Sequence, residues 1–527
     1  VHLAMQSPYA SVRSAAWMAL SDLGDTSALP ALARAAARGE PAERDAAREA
    51  LVRVRGAGVR EALLKEIAAA GPEEKAELLR ALGERGDADA AGVLLENAAA
   101  ASGPARSAAL ESLRKLAVPD TLIPLLNIAA RSVPEADHEL AMSALYAICK
   151  ASPDKGGVTR SALEAMRRMP STEHRQVLPV LAELGTPAAL EAAEAAAREQ
   201  DPEMVKAAVR VLGQWPNPAP ASMLLELART SGAPSVRVLA LRGCIDVAAQ
   251  EPDPGKRLQM LQQARSAATR PEEKKQALAR IGQIPTTAAL QVVIADLTNA
   301  DLASEAAQAA ITVAEQVATT NAQLAGEAAT KVMEHCKDPE LTKRAIALRV
   351  KSAGPGPFIG DWLLSGPYSD PGANNLSKLF KMAFAPEKPG KGVKWTTVAP
   401  ADPINLAALF PGRENCVAYL KTQITAPAER DGFLLLGSDD GVKAWLNGVL
   451  VHTNDINRAD VPDQDVAPIR LKEGTNELML KITQGGGGWS AHARIVGPDV
   501  RPIEGLRVQT PPGAAPSTRA PAAKPGS

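Results

Sequence analysis

Ser11-Val12-Arg13-Ser14-Ala15-Ala16-Trp17-Met18-Ala19-Leu20-Ser21-Asp22-Leu23-Gly24-Asp25 is the stretch that decides the fold of this chain. Val12, Ala16, Ala19, Leu20 and Leu23 return at three- and four-residue steps, the spacing of one face of an α-helix. Gly24 suits the left-handed position just past a helix end. Ser27 can cap a second helix, and Pro30 falls in its first turn, where a missing N–H costs nothing. Leu29, Leu32, Ala33 and Ala36 then form the apolar stripe of that second helix.

The unit recurs. Helix-ending anchors fall at Leu23, Val54, Leu82, Leu116, Ile148, Leu184, Leu212, Cys244, Ile281 and Val313. Their nine intervals average roughly 32 residues, the range of two-helix repeat units. Leu79-Arg80-Ala81-Leu82-Gly83, Val180-Leu181-Ala182-Glu183-Leu184-Gly185 and Ala277-Leu278-Ala279-Arg280-Ile281-Gly282 repeat the ending. Neither helix of a pair can bury its stripe alone, so neighbours must stack. The expectation is a right-handed α-α solenoid of about ten two-helix repeats over residues 1–352. Such an array presents a surface, and so points to binding or scaffolding.

Ser11-Val12-Arg13, Ala19-Leu20 with Leu23-Gly24-Asp25, and Ala28-Leu29-Pro30 resemble the HEAT-repeat family in its short bacterial form, and Ser235-Val236-Arg237 echoes it. The resemblance covers about 350 residues and implies protein–protein scaffolding. Some related repeats belong to phycobilin lyases, but no cysteine or histidine arrangement here supports that activity. Trp17, Trp215 and Tyr146 are expected in the core, and Pro216-Asn217-Pro218-Ala219-Pro220 is expected to lengthen one loop between helices.

Lys351-Ser352-Ala353-Gly354-Pro355-Gly356-Pro357 is a turn-rich break, after which strand signals replace helical ones. Strands are expected near 362–366, 393–398, 415–426, 432–437, 442–446, 449–452, 466–471, 477–483 and 490–496. Asn447-Gly448 between two short apolar runs is a strong hairpin signal. Leu478, Leu480 and Ile482 alternate as one buried face requires. The expectation for 356–510 is a C-terminal antiparallel jelly-roll β-sandwich. Trp445 is assigned to its core. Residues 511–527 are Pro/Ala-rich and read as a disordered tail.

Gly437-Ser438-Asp439-Asp440-Gly441-Val442-Lys443-Ala444-Trp445-Leu446-Asn447-Gly448, with Leu471 to Asn476 and the glycine run 485–488 before Trp489, resembles protective-antigen-type β-sandwiches. These are sugar-binding-like domains attached to large secreted bacterial proteins. The resemblance implies that Asp439 and Asp440 hold calcium, which bridges sugar hydroxyls. Calcium takes six to eight oxygens, and Asp463 and Asp465, with Asp455 and Asn457, lie in a nearby polar loop that can add ligands. The alternative is that Asp439-Asp440-Gly441 is a turn whose side chains bond the backbone. Trp489 beside four glycines offers either a stacking face for a sugar ring or a buried sandwich edge. The candidate ligand-binding residues are therefore Asp439, Asp440, Trp489, Asp463 and Asp465, with Asp439 and Asp440 the candidate metal ligands.

Composition narrows the rest. The chain has 527 residues, 46% apolar and 23% charged, with 59 basic and 60 acidic side chains. That balance draws it neither to nucleic acid nor to an anionic membrane. No run of eighteen apolar residues spans a bilayer. Cys149, Cys244, Cys336 and Cys416 lack metal or redox spacing and are expected as buried small apolar residues. His138, His174 and His335 lie at unrelated spacings. No nucleophile elbow, zincin motif, phosphate loop or dinucleotide fingerprint is present, so no catalysis is expected. The chain opens mid-repeat at Val1-His2-Leu3 and reads as truncated or processed. The sandwich resemblance leans the expected location toward periplasm or exterior. The expected function is a non-catalytic bacterial adaptor with a protein partner on the solenoid and a polysaccharide, through calcium or without it, on the sandwich. The alternatives are an accessory region of a larger secreted carbohydrate-active or redox enzyme, or a protein-assembly module that binds no sugar.

Overall fold

A computed structural model describes residues 1–100, 102–131, 135–353, 357–373, 375–388 and 392–511. Of the tail expected at 511–527, residues 512–527 lie outside the described residues. Helices alternate from Ala10 to Ala353, and then strands take over. The chain divides into two compact units, Val1–Arg280 and the residues from Ile281 on.

In the first unit, helices Ala10–Asp22, Pro41–Arg53, Pro72–Glu84 and Pro104–Leu116 pack on one another in series. Each is followed by a second helix, Leu29–Arg38, Val59–Ala69, Ala91–Ala100 and Leu122–Ala130 respectively. The alternation continues through Pro234–Ala248 and Pro254–Ala267. One first helix is broken, into Ser171–Val177 and Pro179–Leu184, because Pro179 has no N–H to continue the ladder. Proline opens many of the helices, at the one position where its missing donor is harmless.

Apolar stripes build the core, with Leu20, Leu51, Leu82 and Leu113 all nearly inaccessible. Leu23 is a correction. It is 72% exposed, because it follows the helix as its cap, and Leu20 occupies the buried position of that repeat. Val12 is likewise exposed. Trp17 and Trp215 are buried as expected. Pro216 to Pro220 lies in the loop between helices Pro202–Gly213 and Ala221–Thr230. Cys149, Cys244 and Cys416 are buried, which pushes their thiols up to about 12, about 12 and about 11; Cys336 is only partly buried.

Polar ties repeat at the same period. Arg13 grips Glu43 at 2.7 and 2.9 Å, Arg48 grips Glu77 at 2.8 Å twice, and Arg242 reaches Glu273 at 2.9 Å. Glu43, Glu77 and Glu273 are all buried, so each carboxylate needs its guanidinium. The Arg13 hydrogen bond outweighs burial and holds Glu43 below the ordinary carboxylate range. A second device uses arginines in the first turns. Arg13 donates to Ser7 O, Arg106 to Ala99 O, Arg237 to Ser231 O and Arg257 to Glu251 O. These carbonyls lie at or just before helix boundaries, where the backbone lacks partners of its own.

The second unit joins helices Thr287–Ile294, Ala303–Val317, Ala322–His335 and Pro339–Ala353 to a β-sandwich. The strands are β1 (Leu363–Tyr368), β2 (Thr396–Thr397), β3 (Ile404–Asn405), β4 (Cys416–Ala426), β5 (Arg430–Ser438), β6 (Val442–Leu446), β7 (Val449–Asn454), β8 (Asp465–Leu471), β9 (Gly474–Gln484), β10 (Ser490–Val496) and β11 (Arg507–Gln509). One sheet runs β2-β1-β4-β9-β6-β7, with β11 also on β4; the other runs β3-β10-β5-β8. All pairings are antiparallel. β6 pairs β7, β5 pairs β8 and β4 pairs β9. That is one long ribbon folded back on itself and wound across two sheets, the jelly-roll winding. Its tip is Asn447-Gly448, both with positive φ (52° and 79°), as a two-residue hairpin requires. Leu420, Ala444, Leu446, Leu478, Leu480 and Ile482 point between the sheets, with Leu434 and Leu436 from the other side. Phe433 and Leu435 alternate to the outer face of the second sheet, where they meet Ile346 and Val350 of the last helix.

Candidate functional site

The Asp439-Asp440-Gly441 turn links β5 to β6. Asp440 is buried. Its Oδ2 accepts from the Gly485 N–H at 2.7 Å, and its Oδ1 from the Arg458 N–H at 3.3 Å. Gly441 donates to Thr483 Oγ1 at 2.9 Å, and a Cβ on it would meet Asn454 O and Thr483 Oγ1 at 3.0 Å. The glycine run has a local cause. A Cβ on Gly488 would sit 2.5 Å from Asp439 Oδ2, and one on Gly485 3.2 Å from Asp440 Oδ2. The run makes room for two carboxylates.

Asp465 is buried. Burial alone would raise its pKa, but hydrogen bonds from His452, Arg458 and Asn454 win and hold it well below the carboxylate range. Arg458 also donates to Ser438 O at 3.2 Å and Ser438 Oγ at 3.0 Å, binding Asp440 and Asp465 into one network. Asp463 turns to Arg494, at 2.9 and 2.5 Å. His492 faces Asp402 at 2.6 Å and Asp460 at 3.4 Å. Asp439 differs from its neighbours. Burial first, then the charges of Asp440 and Asp460, push it up to about 6.

The fit to calcium is poor. Asp440, Asp463 and Asp465 spend their oxygens on protein N–H donors, whereas calcium needs six to eight oxygens aimed at one point. Among the described residues, no group of three or more His, Cys, Asp or Glu is arranged to hold a metal. Of the two readings of Trp489, the exposed stacking face is set aside and the buried edge holds: the residue is 1% exposed and its ring packs on Phe410 at 5.6 Å between centroids. Its neighbouring glycines do not open it to solvent.

The accessible aromatic surface lies elsewhere, on the outer face of the first sheet. Lys421 on β4 pairs with Met479 on β9, and Met479 with Trp445 on β6. Cross-strand partners share a face, so these three form one row across the sheet. Trp445 is half-buried there, which corrects its assignment to the core; Val442, Ala444 and Leu446 point inward instead. Trp395, just before β2, lies over Lys421, whose Nζ is 4.8 Å from the ring centroid. Lys421 also pairs with Glu477 at 3.2 Å.

The adjacent row, Tyr419-Lys481-Lys443, is roofed by helix Leu376–Lys381 and the turn after it. Fully buried Lys481 ties the roof down, donating to Phe380 O at 3.0 Å, Met382 O at 2.6 Å and Glu387 at 3.1 Å. Burial lowers its pKa against the opposing pull of Glu387. The roof ends at the row of Trp445, leaving a cleft of about 490 Å³. The alternation of Lys443 and Trp445 against Val442, Ala444 and Leu446 is the sequence signal that puts Trp445 outside.

The helix pairs define an α-helical repeat array, and the strands a jelly-roll sandwich. No protein-family model matches the chain, and no curated protein matches it. Solved structures similar to it include the karyopherin Kap121p bound to the extreme C-terminus of the protein phosphatase Cdc14p, at 12% identity and TM-score 0.42, covering 66% of this chain and 44% of that one. Importin beta is similar at 12% identity and TM-score 0.36, over 66% of this chain and 61% of its own. The complex of CpcE and CpcF of phycocyanin lyase from Nostoc sp. PCC7120 is similar at 19% identity and TM-score 0.23, over 50% of this chain and 92% of that one. The chain spans less than half the length of Kap121p.

Proposed function

We propose that the protein is a non-catalytic adaptor whose helical repeats hold a protein partner through an acidic segment and whose sandwich binds carbohydrate. One observation carries the reading: a groove of about 520 Å³ on the helical repeats, where Lys206, Arg210, Arg242 and Arg270 surround Pro234, Val238 and Leu239. Arg242 and Arg270 are partly neutralised by Glu273, and Lys206 by Glu203. Arg210 is exposed and has no acidic partner among the described residues. A cationic rim around an apolar floor suits a peptide that alternates acidic and apolar side chains. The sugar half is supported by the sandwich resemblance and by the partly open outer sheet face. Binding partners recovered with the native chain should be lost with Arg210→Glu and weaken as salt rises through the range where surface charges are screened. Equal recovery by Arg210→Glu would reject the groove.

A further inference from the structure

We propose that the cleft between Trp395 and Trp445 is a saccharide-binding site. The inference rests on the carbohydrate half of the reading above and locates it away from the Asp439-Asp440 turn.

The chemistry of the walls selects the ligand. Trp395 and Trp445 supply flat apolar surfaces, and Met479 lies beside Trp445 in the row between them. Lys421 and Glu477 supply a donor and an acceptor already held in fixed relation by their 3.2 Å ion pair. Glu387, which also lines the cleft, is fixed by buried Lys481. A lipid tail would leave four charged groups, Glu387, Lys388, Lys421 and Glu477, without water. An anion would face both glutamates, and a cation both lysines. A neutral polyol with apolar ring faces satisfies both kinds of wall. Its C–H faces lie on the indoles, and its vicinal hydroxyls donate to Glu477 and accept from Lys421. The opening of about 490 Å³ falls within the usual range of small-ligand sites. The site is also prearranged. Trp445 stands on a paired strand, Trp395 is held by the Lys421 ammonium at 4.8 Å, and the adjoining roof is pinned by Lys481, so little freedom is lost on binding.

The test uses the whole chain against a panel of immobilised polysaccharides, followed by soluble cello-, xylo- and chito-oligosaccharides with tryptophan fluorescence as the readout. Trp395→Ala and Trp445→Ala are each expected to weaken binding about tenfold or more, and Glu477→Gln to weaken it without disturbing the indoles. Asp439→Asn should bind as the parent does. Unchanged melting temperatures in Glu477→Gln and the tryptophan variants exclude loss of fold. If sugar binds the native chain but survives both tryptophan changes, this location is wrong while the carbohydrate reading stands. If no sugar binds the native chain, the carbohydrate reading itself fails.

Discussion

Asp439 carries a charge that its surroundings disfavour. Its folded carboxyl titrates at about 6, against an ordinary 3.8. Between those values the native state holds a proton that the unfolded chain has released, so stability falls as pH rises through the window. Above it the ionised group works against folding. Asp439→Asn is therefore expected to melt higher than the parent at about pH 7.5 and level with it near pH 4, measured by calorimetry at both. A higher-melting variant at the acid end would contradict the assignment. Asp465 has the opposite sign. Its depressed pKa contributes stability above the ordinary carboxylate range, and that contribution disappears only in acid. Two aspartates in one turn-and-loop region thus pull in opposite directions, because Asp465 is met by the donors of Arg458 and Asn454, whereas Asp439 is desolvated and faces two more carboxylates.

Between helices, closeness is set by the smallest side chains. Gly213 and Gly243 lie on first helices of successive repeats, and a Cβ on Gly243 would come within 2.8 Å of Gly213 Cα. Backbone meets backbone there, so nothing can swing aside. Gly243→Ala should cost about 1–3 kcal/mol by overpacking. Gly92, inside helix Ala91–Ala100, has nothing within 4 Å of a new Cβ, and Gly92→Ala should gain about 0.5–1 kcal/mol from reduced unfolded-state freedom. Urea melts of both variants check the pair; a destabilised Gly92→Ala would show that the contact geometry is misread. Ser112 Oγ, which donates to Leu79 O at 2.9 Å, and Ser21 Oγ, which donates to Ala50 O at 2.8 Å, seal similar close approaches with a hydrogen bond.

At the scale of the molecule, the break in composition and the division into compact units fall at different places. Strand signals begin after the glycine–proline break at 351–357, yet the second unit begins at Ile281. The reason is on β5 and the last helix. Leu435, Val496 and Val500 are buried against Ile346 and Val350, with Phe433 and Val466 alongside. A fragment starting at Phe358 exposes that apolar face and should be poorly soluble and melt lower than one starting at Ile281; equal behaviour in scanning calorimetry would show the helices to be dispensable. The run Phe433-Leu434-Leu435-Leu436 held this information, since a strand covered on one face alone alternates. Much of the fold was legible for similar reasons. Helical spacing gave the repeats, and Asn447-Gly448 gave the ribbon tip. Leu23 misled because a leucine after the last turn looks periodic with those inside it. The short strands β3 and β11, and helices Leu376–Lys381 and Leu406–Leu409, carry too few residues for a period to show. The candidate site was legible only in part. Asp439 and Asp440 were placed in the right turn, but whether the Asp440 oxygens met protein donors or a cation depended on Arg458 and Gly485, both distant in sequence. Trp445 was misplaced in the core and Trp489 left open between two readings, because composition names aromatic residues but only strand register says which way they face.

The folded-back ribbon has a consequence for assembly. Trp445 meets Leu450, then Leu435 meets Val466, then Leu420 meets Leu480. Each rung, once zipped, shortens the slack that the next must gather. Closure entropy grows only slowly with the length of the slack, so a sandwich of widely separated partners can be gathered in small increments from a single tight bend.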